Sequence, residues 1–126
     1  MTDSALSLLG LALRGGNLAV GEEPVREACR ARRAALVLAA ADAAENSSDR
    51  ARRWAEEGGA AWARLPWDKE TLGSALGRRL CAVAALTDRG LAAAFAEKLA
   101  DREPRSISND NKKSRAETKP PAVPET

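Results

Sequence analysis

Apolar and polar positions follow two rhythms along residues 4–100. In residues 4–13, Ala5, Leu8, Leu9, Ala12 and Leu13 recur at helical spacing, with Ser4 placed to cap the start and Gly15-Gly16 to stop the run. This predicts an amphipathic helix followed by a short extended piece over 17–20. Gly21 then precedes Glu22-Glu23-Pro24. Acids and a proline suit the first turn of a helix, whose leading N–H groups have no internal acceptor and carry partial positive charge. A second helix is predicted from Glu22 to Ala31. Ala34 to Ala41 and Leu80 to Leu86 are apolar without alternation, the pattern of strands covered on both faces. Between them, residues 43–48 read as a loop in which Asn46, Ser47 or Ser48 caps a helix over Asp49–Glu57, stopped by Gly58-Gly59. Trp62 to Leu65 reads as a short strand ended by Pro66. Asp68 caps a brief helix carrying Leu72, Ala75 and Leu76 and closed by Gly77. A last helix over Asp88–Ala100 sets Leu91, Phe95 and Leu99 one turn apart.

Helices alternating with buried strands predict an α/β sandwich, with helices on both faces of a small central sheet. After residue 100 the chain turns to Ser, Asn, Lys, Glu and Pro with almost no apolar residue. Residues 101–126 are therefore expected to be a disordered polar tail behind a domain of residues 1–100. The chain has 126 residues, 44% of them hydrophobic, enough for one core. Only 3% are aromatic and much of the apolar content is alanine, so the core is expected to rest on close backbone approach.

Charge narrows the partners. Residues 1–100 hold fourteen Lys and Arg against thirteen Asp and Glu, so there is no polybasic arm, and a nucleic-acid surface would depend on how cations are arranged on one face. Twelve of the fourteen are arginine, the cation suited to bidentate and stacked contacts. There is no histidine, and Cys29 and Cys81 stand alone, which removes the usual zinc sites and Cys/His catalysis. The thiols are expected to be buried small hydrophobes of a cytoplasmic protein. The run Ala5–Leu13 reads as neither signal peptide nor membrane span. No cofactor, metal, small-molecule substrate or membrane is expected as a partner.

The glycines of RGGNLAVGEEPVREACR, residues 14–30, invite a phosphate-cradling reading. No Lys-Ser/Thr follows Gly21, Glu22 and Glu23 would repel a phosphate, and the GxGxxG spacing is absent, so a nucleotide loop is set aside. Carboxylates at a helix start can instead accept hydrogen bonds from base edges while arginines hold a phosphate backbone. Arg26, Arg30 and Arg33 recur at i, i+4 and i+7 beside the apolar face of Val25, Ala28 and Cys29. From spacing alone, a solvated charged face with Glu22 and Arg26 as helix neighbours stands equally open.

LLGLALRGGNLAVGEEPVREACR, LVLAAADAAEN, ETLGSALGRR and AVAALTDRGLA, in this order, resemble the ribosomal protein superfamily that binds kink-turn RNA, the large-subunit "seven-Ae" and "thirty-e" proteins, and most of all its small bacterial YlxQ-like branch. The resemblance covers residues 5–100. It implies a three-layer α/β/α fold with a mixed sheet of about four strands, no enzymatic activity, and association with structured RNA, with the ribosome or with translation. It also implies an RNA surface of three segments: Gly21, Glu22 and Glu23 with the helix turn behind them, Asp42 to Ser48, and Gly77, Arg78 and Arg79.

Kink-turn binders carry Asn-Glu after the Gly-x of this helix start and a lysine three residues later. Here those positions hold Glu23, Pro24 and Glu27, which implies a shifted RNA specificity. The RNA-binding set expected here is Gly21, Glu22, Glu23, Arg26, Arg30, Arg78 and Arg79. Gly21 is equally a conformational glycine, and Arg78 and Arg79 equally solvated cations. Arg50, Arg52 and Arg53 with Trp54 are taken as structural, as are Trp62 and Trp67. The alternative function is a protein-interaction module on the same fold, without RNA binding.

Overall fold

The computed structural model describes residues 3–102; of the expected tail over 101–126, Asp101 and Arg102 instead end the last helix, and the rest lies outside the described residues. The elements are α1 (Ser4–Arg14), β1 (Leu18–Val20), α2 (Glu22–Arg30), β2 (Leu36–Ala39), α3 (Glu45–Gly58), β3 (Ala61–Arg64), α4 (Lys69–Ala75), β4 (Val83–Leu86) and α5 (Arg89–Arg102). Residues up to Phe95 form one compact unit, and the last described residues of α5 belong to a second.

The four strands form one mixed sheet in the order β1-β4-β2-β3. β4 runs antiparallel to both neighbours, pairing Leu18 with Leu86 on one side and Leu36 with Leu86 on the other. β3 lies parallel to β2, joined to it across α3. The expected small α/β sandwich with a mixed four-stranded sheet is the fold observed. Period-two alternation sorts the strands' side chains. Val37, Ala39, Val83 and Ala85 face a cluster with Val25, Ala28 and Cys29 of α2 and Ala51 and Ala55 of α3. Leu36, Leu38, Ala84 and Leu86 turn to the other face and are equally buried. On the strands' flanks α1 packs against α4 and β1. Trp67 meets Phe95 with ring centroids 6.4 Å apart.

Small residues let these layers close. A Cβ built on Gly58 would lie 2.5 Å from the Cys29 carbonyl oxygen, so α3 ends directly on the backbone of α2. Gly73 does the same for α4, where a Cβ would fall 2.8 Å from the Cα of Leu80.

Several boundaries differ from the sequence expectation. Asp3, not Ser4, caps α1, its carboxylate accepting from the Ala5 N–H at 2.9 Å. The strands are shorter than their apolar runs, because Ala34 and Cys81 are buried outside the ladder and Ala40 only closes its end, its N–H donating to the Ala82 carbonyl. The largest shift is in α3, which starts at Glu45 rather than Asp49, so the expected loop over 43–48 is mostly helix. Its N-cap, Ala44, offers no side-chain hydrogen bond. Ser47 and Ser48, expected as caps, spend their hydroxyls on Glu22 and Arg64 from other elements. Asp68 caps α4 as expected, accepting from the Thr71 N–H at 2.8 Å.

Candidate functional site

The sheet's topology gathers the three expected segments. Since β1 and β2 both run antiparallel to β4, their C-terminal ends meet the start of β4. The Gly21 N–H donates to the Val83 carbonyl at 3.0 Å, and the Ala40 N–H to the Ala82 carbonyl at 2.8 Å. The start of α2, the turn after β2 and the segment leading into β4 thus share one end of the sheet. Asp42 ties that turn to α4 by accepting from the Lys69 N–H at 2.8 Å.

Gly21 sits at φ 102°, ψ 164°, a conformation that a side chain would strain, and α2 has no side-chain cap. The α2 start therefore presents main-chain N–H groups without a local acceptor. Glu22 and Glu23, adjacent in sequence, behave differently. Glu22 accepts from the Ser47 hydroxyl at 2.7 Å and from Arg50 at 2.9 and 3.1 Å through Nη2 and 3.2 Å through Nε. The Ser47 and Arg50 hydrogen bonds hold its carboxyl below its ordinary range, outweighing a partial desolvation. Glu23 points outward and holds Arg26 at 3.2 Å; the side chains are 75% and 41% exposed, so water screens this i,i+3 pair and it opens cheaply. One of the two readings left open by spacing sets Glu22 beside Arg26. Arg50 outcompetes it because it can approach Glu22 bidentately from α3. Arg26 Nε is buried with no hydrogen-bond partner, so only the outer part of its guanidinium is engaged.

Arg78 and Arg79 are exposed on the turn after α4, where Gly77 takes φ 72° and the Arg78 N–H closes back on the Gly73 carbonyl at 2.8 Å. No ion pair among the described residues engages either arginine. Leu80, next to them, is 54% exposed, one of two large apolar side chains in that state among the described residues. Arg30 does not join this end of the sheet. It lies eight residues along α2, about 12 Å down the axis at 1.5 Å per residue. Arg33 leaves the expected stripe altogether, since α2 stops at Arg30.

Three members of this end stood outside the expected binding set: Ser47, expected as a helix cap within the 42–48 segment, Arg50, taken as structural, and Arg64, which the sequence did not single out. Arg64 donates to the Ser48 hydroxyl at 2.7 Å, with longer contacts of 3.4 Å to the Ala40 and Ala41 carbonyls. Nothing local marks these residues, because each partner is sixteen or more positions away. The best-held carboxylate at this end, Glu22, is stabilised as an anion, which makes it a weak base. No group of three or more His, Cys, Asp or Glu among the described residues could hold a metal ion. No helix among them is long and apolar enough to cross a membrane.

Compared with solved structures, the chain is similar to a protein of unknown function from Bacillus halodurans, at 26% sequence identity and a TM-score of 0.72, over 79% of this chain and 99% of that one. No protein-family model matches the chain, and no curated protein does.

Proposed function

We propose that this protein is a non-enzymatic, cytoplasmic RNA-binding protein akin to the kink-turn-binding ribosomal superfamily, acting on or beside the ribosome. The observation that carries this reading is the meeting, at one end of the sheet, of the three segments that the resemblance assigns to RNA. Arg78 and Arg79 stand exposed there and in no ion pair among the described residues. In this reading Arg78, Arg79 and Arg26 neutralise phosphates, and Gly21 lets the polynucleotide approach the uncapped amides of α2. Glu23, released from Arg26, accepts from a base edge, and Leu80 gives an unstacked base an apolar surface. Glu22 is not a reader. Its bonds to Ser47 and Arg50 fix the start of α2 against α3, so that the surface is formed before RNA arrives. Arg30 extends the cationic track along the same helix face as Arg26.

Titration against a kink-turn RNA and an unkinked duplex over a salt series tests this. Tighter binding of the kinked RNA is expected. Arg78→Glu combined with Arg79→Glu should weaken binding to it and flatten its log–log salt dependence by roughly 1.5 to 2, the loss of two phosphate contacts. Equal and negligible binding of both RNAs would reject the reading. Binding untouched by the double substitution would move the interface elsewhere and favour a protein partner for this end.

A further inference from the structure

The opposite end of the sheet holds a second group of cations that the proposed RNA surface does not use. A cavity of about 610 Å³ opens there, lined by Arg32, Arg33 and Arg89 together with Thr87, Gly59 and Ala61. No acidic residue lines it. None of the three arginines is in an ion pair among the described residues, and the one hydrogen bond any of them makes there is long, from Arg32 Nη2 to the Glu57 carbonyl at 3.4 Å. Most of the guanidinium donors are therefore free to receive a ligand.

The backbone sets them there at a cost. Past the end of α2, the Arg32 N–H bonds to the Cys29 carbonyl at 3.0 Å and the Arg33 N–H to the Ala28 carbonyl at 2.9 Å, the paired bonds of a Schellman turn. The middle of such a turn is left-handed and favours glycine. Here it is Arg32 at φ 58°, the one non-glycine residue among those described with positive φ. A Cβ on Gly59 would meet Arg32 Nη1 at 3.3 Å, so the guanidinium lies against the glycine that ends α3. Three carboxylates are near. Glu57 shares a separate recess with Arg32 but forms no ion pair with it among the described residues. Asp88 is engaged in capping α5, accepting from the Leu91 N–H at 2.8 Å. Glu27 lines an adjoining recess shared with Arg33 and Thr87 but pairs with neither.

The geometry points to a phosphate-binding site formed by Arg32, Arg33 and Arg89, separate from the Gly21 and Arg78 end. Three guanidinium groups round a concave, acid-free surface match the charge and the several acceptor oxygens of a phosphate better than a single carboxylate, and the N-terminus of α5 adds its favourable dipole. The phosphate can belong to a small phosphorylated molecule or to a polynucleotide backbone. The site stands independently of the RNA-binding reading, since it shares no residue with it.

Titrating the full chain with inorganic pyrophosphate and, separately, with an eight-nucleotide oligouridylate, followed by amide NMR shifts, tests this. Saturable shifts are expected over residues 31–35 and 87–92. Arg33→Gln combined with Arg89→Gln should weaken binding about tenfold or more, consistent with losing charge-assisted hydrogen bonds, and Arg78→Glu should leave it unchanged. Glu27→Gln should tighten it, a gain that a damaged fold cannot mimic. Arg32→Gly should weaken it while raising the melting temperature. Saturation by pyrophosphate alone identifies a small ligand; tighter oligouridylate binding displaced by pyrophosphate identifies a backbone phosphate. No saturable shift of these amides with either probe, or shifts indifferent to the arginine substitutions, overturns the proposal.

Discussion

Glu22 and Arg50, 28 positions apart in the chain, meet at 2.9 Å and bind the first turn of α2 to α3. Ser47 completes the arrangement at 2.7 Å. The side chains of the pair are 38% and 45% exposed, so solvent screens the charge interaction and it contributes about 0.5 to 1 kcal/mol. Glu22→Gln keeps an acceptor for Ser47 and removes only the charge, and should cost that amount in urea unfolding at pH 7. Because the folded carboxyl titrates below its ordinary value of 4.5, the contribution is complete above that value and disappears as pH falls through the lowered one. The unfolding curves of wild type and variant should therefore converge in acid. A gap that persists to low pH would show that the contact acts by packing instead.

Three glycines separate space from backbone conformation. Gly58→Ala and Gly73→Ala each force a Cβ to within 3 Å of backbone, at 2.5 Å from Cys29 O and 2.8 Å from Leu80 Cα, where no side chain can swing aside. Each should destabilise by roughly 1 to 3 kcal/mol, in the range of overpacked cores. Gly10, inside α1, is different. A Cβ there reaches only van der Waals distance, 3.4 Å from the Ala75 carbonyl, and Gly10→Ala should add about 0.5 to 1 kcal/mol through helix propensity. Thermal melts of the three variants check both signs.

Cys29 and Cys81 are buried free thiols. Burial pushes Cys81 up to about 11, against a smaller opposing pull from Arg78, and raises Cys29 with help from the Glu57 charge. At pH 8 a thiol of pKa about 11 is about one part in a thousand thiolate. Ellman's reagent should react slowly with the native protein, and both thiols should appear on addition of urea. A rapid burst of one equivalent would reveal local opening at one of the two cysteines.

What the sequence made legible was what adjacent residues decide. The apolar runs around Val37 and Val83 marked the two central strands, and Gly21-Glu22-Glu23-Pro24 marked the start of α2. The helix over 45–58 was misread at its start because Ser47 and Ser48 look like caps, whereas they are ligands of Glu22 and Arg64 across the fold. The candidate site had the same limit. Its three segments could be placed on the chain, and the antiparallel pairing of β1 and β2 with β4 brings them together. That Glu22 is tied internally while Glu23 is open depends on Arg50, whose position no local spacing discloses. The arginines at the far end of the sheet escaped notice for a related reason: Arg33 fitted a helical stripe with Arg26 and Arg30 that the turn at Arg32 breaks.

Arg32 yields the prediction that most clearly opposes stability to binding. A left-handed residue with a Cβ costs about 1 kcal/mol relative to glycine, and the Schellman turn here keeps its two hydrogen bonds whichever residue occupies the position. Arg32→Gly also frees more conformations in the unfolded chain, which offsets part of the gain. Its single long bond to the Glu57 carbonyl, at 3.4 Å and exposed, is too weak to reverse the sign. The variant should therefore unfold at higher urea by a few tenths to about 1 kcal/mol, with an unchanged denaturant slope. Arg32→Ala, which keeps a Cβ at the same φ, should show no such gain. If both substitutions destabilise equally, the guanidinium itself holds the ends of α2 and α3 together, and the turn is not strained for the sake of a ligand.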